Sequence, residues 1–262
     1  MSLPSSSPRA QWAKGKASRT RLAIAAAVIV LLWGACQFVG KEHFPDFSDY
    51  TDTDEKKEAF FTYLGSHVQE VNAEILNNRE RLEEIRADLE PGEEPGWFDR
   101  GWIHEQLEAY EFDPVEEISG ETLRQLSQRM DIIPPSLVLA QAAIESAWGT
   151  SRFARQGNNL FGMRTYTPGT GIVPKRRPAG ATWEVAAYDT VNEGLAAYVH
   201  TLNTHDPYLQ LRRIRAGMRS RGQPVTGSAL TAGLRSYSEL GYEYVAKVRS
   251  MIRSNNLEKY DK

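Results

Sequence analysis

With one cysteine and five histidines in 262 residues, several chemistries drop out at once. A lone Cys36 cannot form an intramolecular disulfide or contribute to a cysteine-rich metal site, and its place in an apolar run makes it no guide to redox compartment. There is no HExxH or CxxC pattern and no Gly-rich phosphate loop, so nothing points to a bound metal, a nucleotide or another cofactor. Internal repeats and low-complexity tracts are also missing. Net charge is small, −3, while 41% apolar and 25% charged residues are ordinary for a globular chain and exclude little.

The small net charge conceals three unlike blocks. Residues 1–40 carry five basic residues and no acid; residues 41–130 carry 9 basic and 24 acidic residues; residues 131–262 carry 17 basic and 10 acidic residues. Leu22 to Val39 contains 18 residues without a charge. As a helix this run is about 27 Å long, near the roughly 30 Å of a bilayer's hydrocarbon core. Arg9, Lys14, Lys16, Arg19 and Arg21 precede it, so the positive-inside rule puts residues 1–21 in the cytoplasm as a basic tail. The expectation is a single-pass anchor at 22–39 in the inner (cytoplasmic) membrane, with everything after it on the periplasmic, extracytoplasmic side. A cleaved signal peptide and a lipoprotein acylated at Cys36 are the alternatives, and both also export the bulk of the chain.

Residues 40–118 read as an acidic, largely helical stem. Phe61, Leu64, Val68, Val71, Ile75, Leu82, Ile85 and Leu89 recur at steps of three and four, with Asn78 as the polar member of the seam. The spacing predicts one long amphipathic helix from Asp54 to about Leu89, ended by Pro91-Gly92. Its stripe can pack on the chain's own domain, or it can pair two copies as a coiled coil, a route to self-association. Residues 91–118 read as a wrapping connector with short helical pieces at most. From Ser119 the pattern is helical again, and Pro134-Pro135 stop one helix and start the next. Further helices are expected at 190–204, 206–220, 227–236 and 241–256, with a β-hairpin or irregular lobe over 164–188. The fold class is therefore mainly α with a small β-hairpin lobe, and 119–262 is the chemical domain. Its excess of basic residues suits a partner bearing carboxylates. Scattered arginines without a stacking-aromatic motif, together with export, argue against nucleic acid. The acidic segment is expected to dock on this basic domain through opposite charge and to limit access to it.

The stretch from Pro134 to Met163, PPSLVLAQAAIESAWGTSRFARQGNNLFGM, carries the chemistry. A helix from Pro135 sets Leu137, Ala140, Ile144 and Trp148 on one apolar face. Glu145 stands beside that face near the negative end of the helix dipole, and both surroundings favour a carboxyl group that keeps its proton. Such an acid can protonate a leaving oxygen. On these residues alone, a water-facing helical glutamate is the more ordinary reading.

The run AQAAIESAWGTSRFA followed by NNLFG resembles the glucosaminidase domains of glycoside hydrolase family 73. The framing DIIPPSLVLAQAA and the later YLQLRRIRAGMR resemble more closely the bacterial Bax-type branch of that family, over about residues 119–257. FFTYLGSHVQEVNAEI is similar to that branch as well. The resemblance implies a lysozyme-like helical domain that binds peptidoglycan glycan strands in a groove and cuts the β-1,4 bond after N-acetylglucosamine, with Glu145 as general acid. A lytic transglycosylase, a muramidase and a non-enzymatic peptidoglycan-binding scaffold are the competing readings. Asn158, Asn159 and Phe161 would then lie in a loop that frames the groove or touches sugar. The family's tyrosine signature maps onto LRSYSELGYEYVAKV, where Tyr237 and Tyr244 are seven apart, one more than the pattern. The functional tyrosine is carried onto Tyr237, with Tyr242 and Tyr244 as substrate-contacting substitutes. The family's second acid has no clear counterpart; Glu184 is the one carboxylate offered in GIVPKRRPAGATWEVAAYDT. Either Glu184 activates a water, which inverts the anomeric carbon, or the substrate's acetamido group attacks, which retains it.

Overall fold

A computed structural model describes residues 44–89 and 93–262. The 22–39 run lies outside these residues, and among them no helix is long and apolar enough to cross a membrane. Residues 44–262 form one compact unit, with no packing boundary at 118/119.

α1 (Thr53–Asp88) is the long helix the spacing predicts, and Asp52 caps it by accepting from the Asp54 and Glu55 amides. The structure bears out the packing of its stripe on the chain's own domain and corrects the alternative, the pairing of two copies. Phe60, Phe61, Leu64 and Val68 are buried in the chain's own main core, so this face is not left for a second copy. The buried amide of the helix is Asn72, whose side chain donates to the Ile133 carbonyl at 2.9 Å, whereas Asn78 is half-buried. The acidic segment thus docks mainly by apolar contact rather than by the charge attraction the sequence suggests. Exposed charges are screened within about 10 Å in salt, and buried aromatic surface is not.

α2 (Trp97–Ala109) is a full helix where short pieces were expected. Gly96 gives it no side-chain cap and Gly101 interrupts its pattern, so little in the local sequence announces it. It forms because Ile103 and Leu107 join a second apolar cluster with Leu82, Leu123, Leu126 and Met130. α3 (Gly120–Arg129) follows the cap at Ser119.

α4 (Pro135–Glu145) is the axis of the main core. Every residue from Pro135 to Ala143 is buried, the signature of a helix packed on all sides. α1, α8 (Gly227–Leu230) and α9 (Tyr242–Ser254) pack around it. Between them the chain runs through α5 (Arg152–Gly157), a small lobe, α6 (Val191–Thr204) and α7 (Leu209–Ser220). The lobe is a three-stranded antiparallel sheet rather than a simple hairpin: β1 (Arg164–Thr165), β2 (Gly171–Ile172) and β3 (Glu184–Ala186) in the order β1-β3-β2. The helices expected at 206–220 and 227–236 are each shared between an α-helix and a 3₁₀ turn, Asp206–Tyr208 before α7 and Thr231–Leu234 after α8.

Candidate active site

Glu145 is the last residue of α4, and the chain leaves the helix there by an unusual route. Ala147, Trp148 and Gly149 all have positive φ, at 51°, 60° and 75°. Two of the three carry a Cβ, and each such residue costs on the order of 1 kcal/mol or more. The surroundings hold the turn in place. Ser146 Oγ donates to the Ala142 carbonyl and accepts from the Gly149 amide at 2.7 Å. Trp148 is therefore not on the helical face where periodicity sets it. Its ring meets Phe60 and Phe61 of α1 edge-on, at 5.9 and 5.3 Å between centroids. A Cβ on Gly149 would come within 2.7 Å of the Phe47 ring. The segment before α4 in sequence thus shapes the exit from it.

The tight turn leaves Glu145 exposed, while the helix one turn earlier is sealed. The neighbour that defines its carboxyl group is a phenol rather than an apolar face. Tyr244, on the first turn of α9, donates its hydroxyl to Glu145 Oε1 at 2.6 Å. Gln141 lies one helical turn before Glu145 on the same face, and its Nε2 donates to Tyr244 Oη at 3.0 Å. Tyr198 of α6 donates in turn to Gln141 Oε1 at 2.6 Å. The amide of Gln141 is wholly buried, so these two tyrosines set its orientation. With its oxygen already accepting from Gln141, Tyr244 has one proton, and it goes to Glu145. The polarity of the chain Tyr198, Gln141, Tyr244, Glu145 is thereby determined. Burial pushes the Tyr244 phenol up, with Tyr237 and Glu145 adding to the effect, and burial raises Tyr198 as well. Both stay protonated donors at neutral pH.

Aromatic rings brace this chain. Tyr237 stacks on Tyr244 with centroids 5.3 Å apart and planes 9° apart, and Phe161 stacks on Tyr198 at 3.8 Å. The Tyr237 hydroxyl donates to the Phe161 carbonyl at 3.1 Å, which closes the two stacks into one block. Tyr237 therefore supports the tyrosine that touches Glu145. Tyr242 sits two residues before Tyr244, about 200° round the helix, and is exposed beneath the guanidinium of Arg235.

The other sequence candidates are bound into the fold. Asn159 is 2% exposed, and its amide donates to the Met163 and Ala186 carbonyls while accepting from the Phe161 and Met163 amides. That uses its full capacity to pin the loop to β3 and leaves none for a sugar. Asn158 turns the chain in the left-handed region and donates to the Tyr188 and Asp189 carbonyls. The Phe161 side chain is buried in its stack. Glu184 is buried in β3, where its carboxylate accepts from the Gly169 and Gly171 amides at 3.0–3.2 Å. It closes the loop of its own lobe and makes no hydrogen bond to Glu145 or to the tyrosines among the described residues.

Sequence reasoning passed over Gln141 and Tyr198. The i, i+4 spacing of Gln141 and Glu145 is a signal that was available; Tyr198 offers none, because its role comes from a contact 57 residues away.

A family model described as glucosaminidase, mannosyl-glycoprotein endo-beta-N-acetylglucosaminidase, matches residues 120–257, which include Gln141, Glu145, Tyr198, Tyr237 and Tyr244. Protein Bax of Escherichia coli (strain K12) is 33% identical over 220 residues, covering 80% of this chain and 74% of that one. Among solved structures, the catalytic domain of the autolysin Auto from Listeria monocytogenes aligns at 22% identity and a TM-score of 0.38, covering 69% of this chain and 96% of that one. A superposition that low adds nothing to the argument.

Proposed function

The chain belongs to the glucosaminidase family, and from that premise we propose that it hydrolyses the β-1,4 bond after N-acetylglucosamine in peptidoglycan, with Glu145 as general acid. The observation that carries the reading is the hydrogen bond from Tyr244 to Glu145 Oε1. The Tyr244 hydroxyl can only donate and holds Oε1, so Oε2 is the oxygen through which the acid passes its proton to the glycosidic oxygen. Transfer of that proton breaks the bond to the leaving sugar. The acetamido carbonyl oxygen of the substrate attacks the anomeric carbon as the bond breaks. Water, deprotonated by the Glu145 carboxylate, then opens the cyclic intermediate with net retention. The commitment of Glu184 to two backbone amides supports this route over direct attack by a water that Glu184 activates.

Glu145→Gln is expected to lower turnover of purified peptidoglycan by about 10²–10⁴-fold, the usual contribution of a general acid. Its thermal unfolding should change little, because the side chain is exposed. Mass spectrometry of the wild-type products should find reducing N-acetylglucosamine ends, and early-time NMR should find the retained anomer. Anhydro-muramyl ends, an inverted anomer, or a variant with more than about a tenth of wild-type activity would each overturn the corresponding part of the reading.

The residues before 40 support an exported, membrane-tethered enzyme, since a substrate outside the cytoplasm requires export. A reporter joined after residue 60 should be active only outside the cytoplasm. Activity inside would remove the anchor from the proposal.

A further inference from the structure

Away from Glu145, beyond the opposite end of α4 (a helix about 15 Å long), the described residues form a concavity. It is a cavity of about 670 Å³ between the C-terminal half of α1, α3, the connector at Asp131 and α7. Arg79, Arg86, Arg124, Arg215 and Arg219 line it, against the carboxylates of Glu83 and Asp131. The buried Asp131 is shared by three guanidinium groups, with Arg219 at 2.8 Å, Arg215 at 3.6 Å and Arg79 at 3.7 Å. Glu83 is shared by Arg79 and Arg86. Arg124 pairs with Glu121, on the solvent side of α3. Even with Glu121 counted, cations exceed anions by two.

The arginines divide by what they do. Arg79 and Arg215 donate to backbone carbonyls of Ser127 and Met130 and of Gln128, Asp131 and Ile132, which ties the α3–α4 connector to α1 and α7. These two hold the fold. Arg124 and Arg219 grip their carboxylates through Nε and Nη2 and leave Nη1 without a partner among the described residues. Arg86 uses Nη1 alone, on Glu83. Planar forks with spare donors at the rim of a net-positive concavity suit a polyvalent oxyanion, because each fork matches a pair of its oxygens and the excess of two cations attracts it. Burial, with Arg79 and Arg212 nearby, pushes Arg215 down to about 10 against the pull of Asp131.

We propose that this cavity binds a multivalent oxyanion of the phosphoryl or polycarboxylate class at a site separate from Glu145. The inference does not depend on the reaction assigned above. Isothermal titration calorimetry of the full chain, with pyrophosphate and with citrate at matched ionic strength, tests it. Saturable binding at one site is expected for one or both anions, weakened by about tenfold or more in Arg124→Gln and in Arg86→Gln, the loss that accompanies removal of one charge-assisted bond. Arg213→Gln, an exposed arginine elsewhere on α7, and Glu145→Gln should bind as wild type does. Response to pyrophosphate alone assigns the phosphoryl class, and response to citrate alone assigns the carboxylate class. No saturable heat with either anion, or equal binding by wild type and both rim variants, overturns the proposal. The rim side chains are partly exposed, so circular dichroism of both variants should match wild type. Should either variant unfold instead, equal heats for the other and wild type still overturn it.

Discussion

Among the residues around Glu145, Tyr244 and Tyr237 look interchangeable by chemistry and are separated by what each hydroxyl touches. Tyr244→Phe removes the donor to Glu145 and also strands the buried Nε2 of Gln141, at a cost of about 1–3 kcal/mol for an unsatisfied group. Tyr237→Phe removes one bond to a loop carbonyl and keeps the ring that stacks on Tyr244, at a cost of about 0.5–1.5 kcal/mol. The expected outcome is a fall in turnover of about tenfold or more for Tyr244→Phe and a much smaller one for Tyr237→Phe. Steady-state rates on one peptidoglycan preparation, with melting temperatures alongside, check it. The reverse order would return the functional role to Tyr237.

At the scale of elements, the decisive one is the left-handed exit from α4, since it turns the last helical residue from sealed to exposed. Gly149 and Gly162 both have positive φ, but a Cβ would meet the Phe47 and Phe44 rings at Gly149 and nothing within 4 Å at Gly162. Gly162→Ala should therefore lose only the backbone term of about 1 kcal/mol. Gly149→Ala adds overpacking of about 1–3 kcal/mol in a filled core. Urea unfolding of the two variants should rank them in that order, and activity should fall with Gly149→Ala because the turn aims Glu145. Equal losses would mean that Phe44 and Phe47 give way freely and do not shape the turn.

For the whole molecule, the acidic segment is part of the folded unit. Phe44, Phe47, Phe60, Phe61, Leu64 and Val68 are all buried in the same core as α4. At about 1.5–3 kcal/mol for each large apolar side chain, their burial is worth on the order of 10 kcal/mol, comparable to the entire stability of a domain. A 41–262 fragment should unfold cooperatively, and a 119–262 fragment should bind a hydrophobic dye and lack a sharp transition. A cooperative, active 119–262 fragment would show that the core closes without α1 and would restore the picture of a detachable stem.

What the sequence determined by itself is what neighbours along the chain decide. Ser119 and Asp52 supply side-chain oxygens to nearby amides, Pro135 starts α4, and the three-and-four spacing makes α1 a helix before anything packs on it. Glu145 is different: its local spacing leaves a water-facing glutamate open, and it stands out through the resemblance of the whole run around it to family glucosaminidases. The tertiary structure alone decided which groups meet that carboxyl. Tyr244 is 99 residues from Glu145 and 103 from Gln141, and neither periodicity nor composition encodes a contact at that range. The same holds for Asn72 over Asn78 as the buried amide of α1. It holds also for Glu184, which has the right charge for a catalytic base but bonds to its own lobe once β3 lies between β1 and β2. The left-handed turn at Ala147 and Trp148 is against local preference, and the rings of Phe60 and Phe61 on α1 and of Phe44 and Phe47 before it pack against the turn and hold it. Local propensity selects the elements, whereas long-range packing selects which of their side chains can do chemistry.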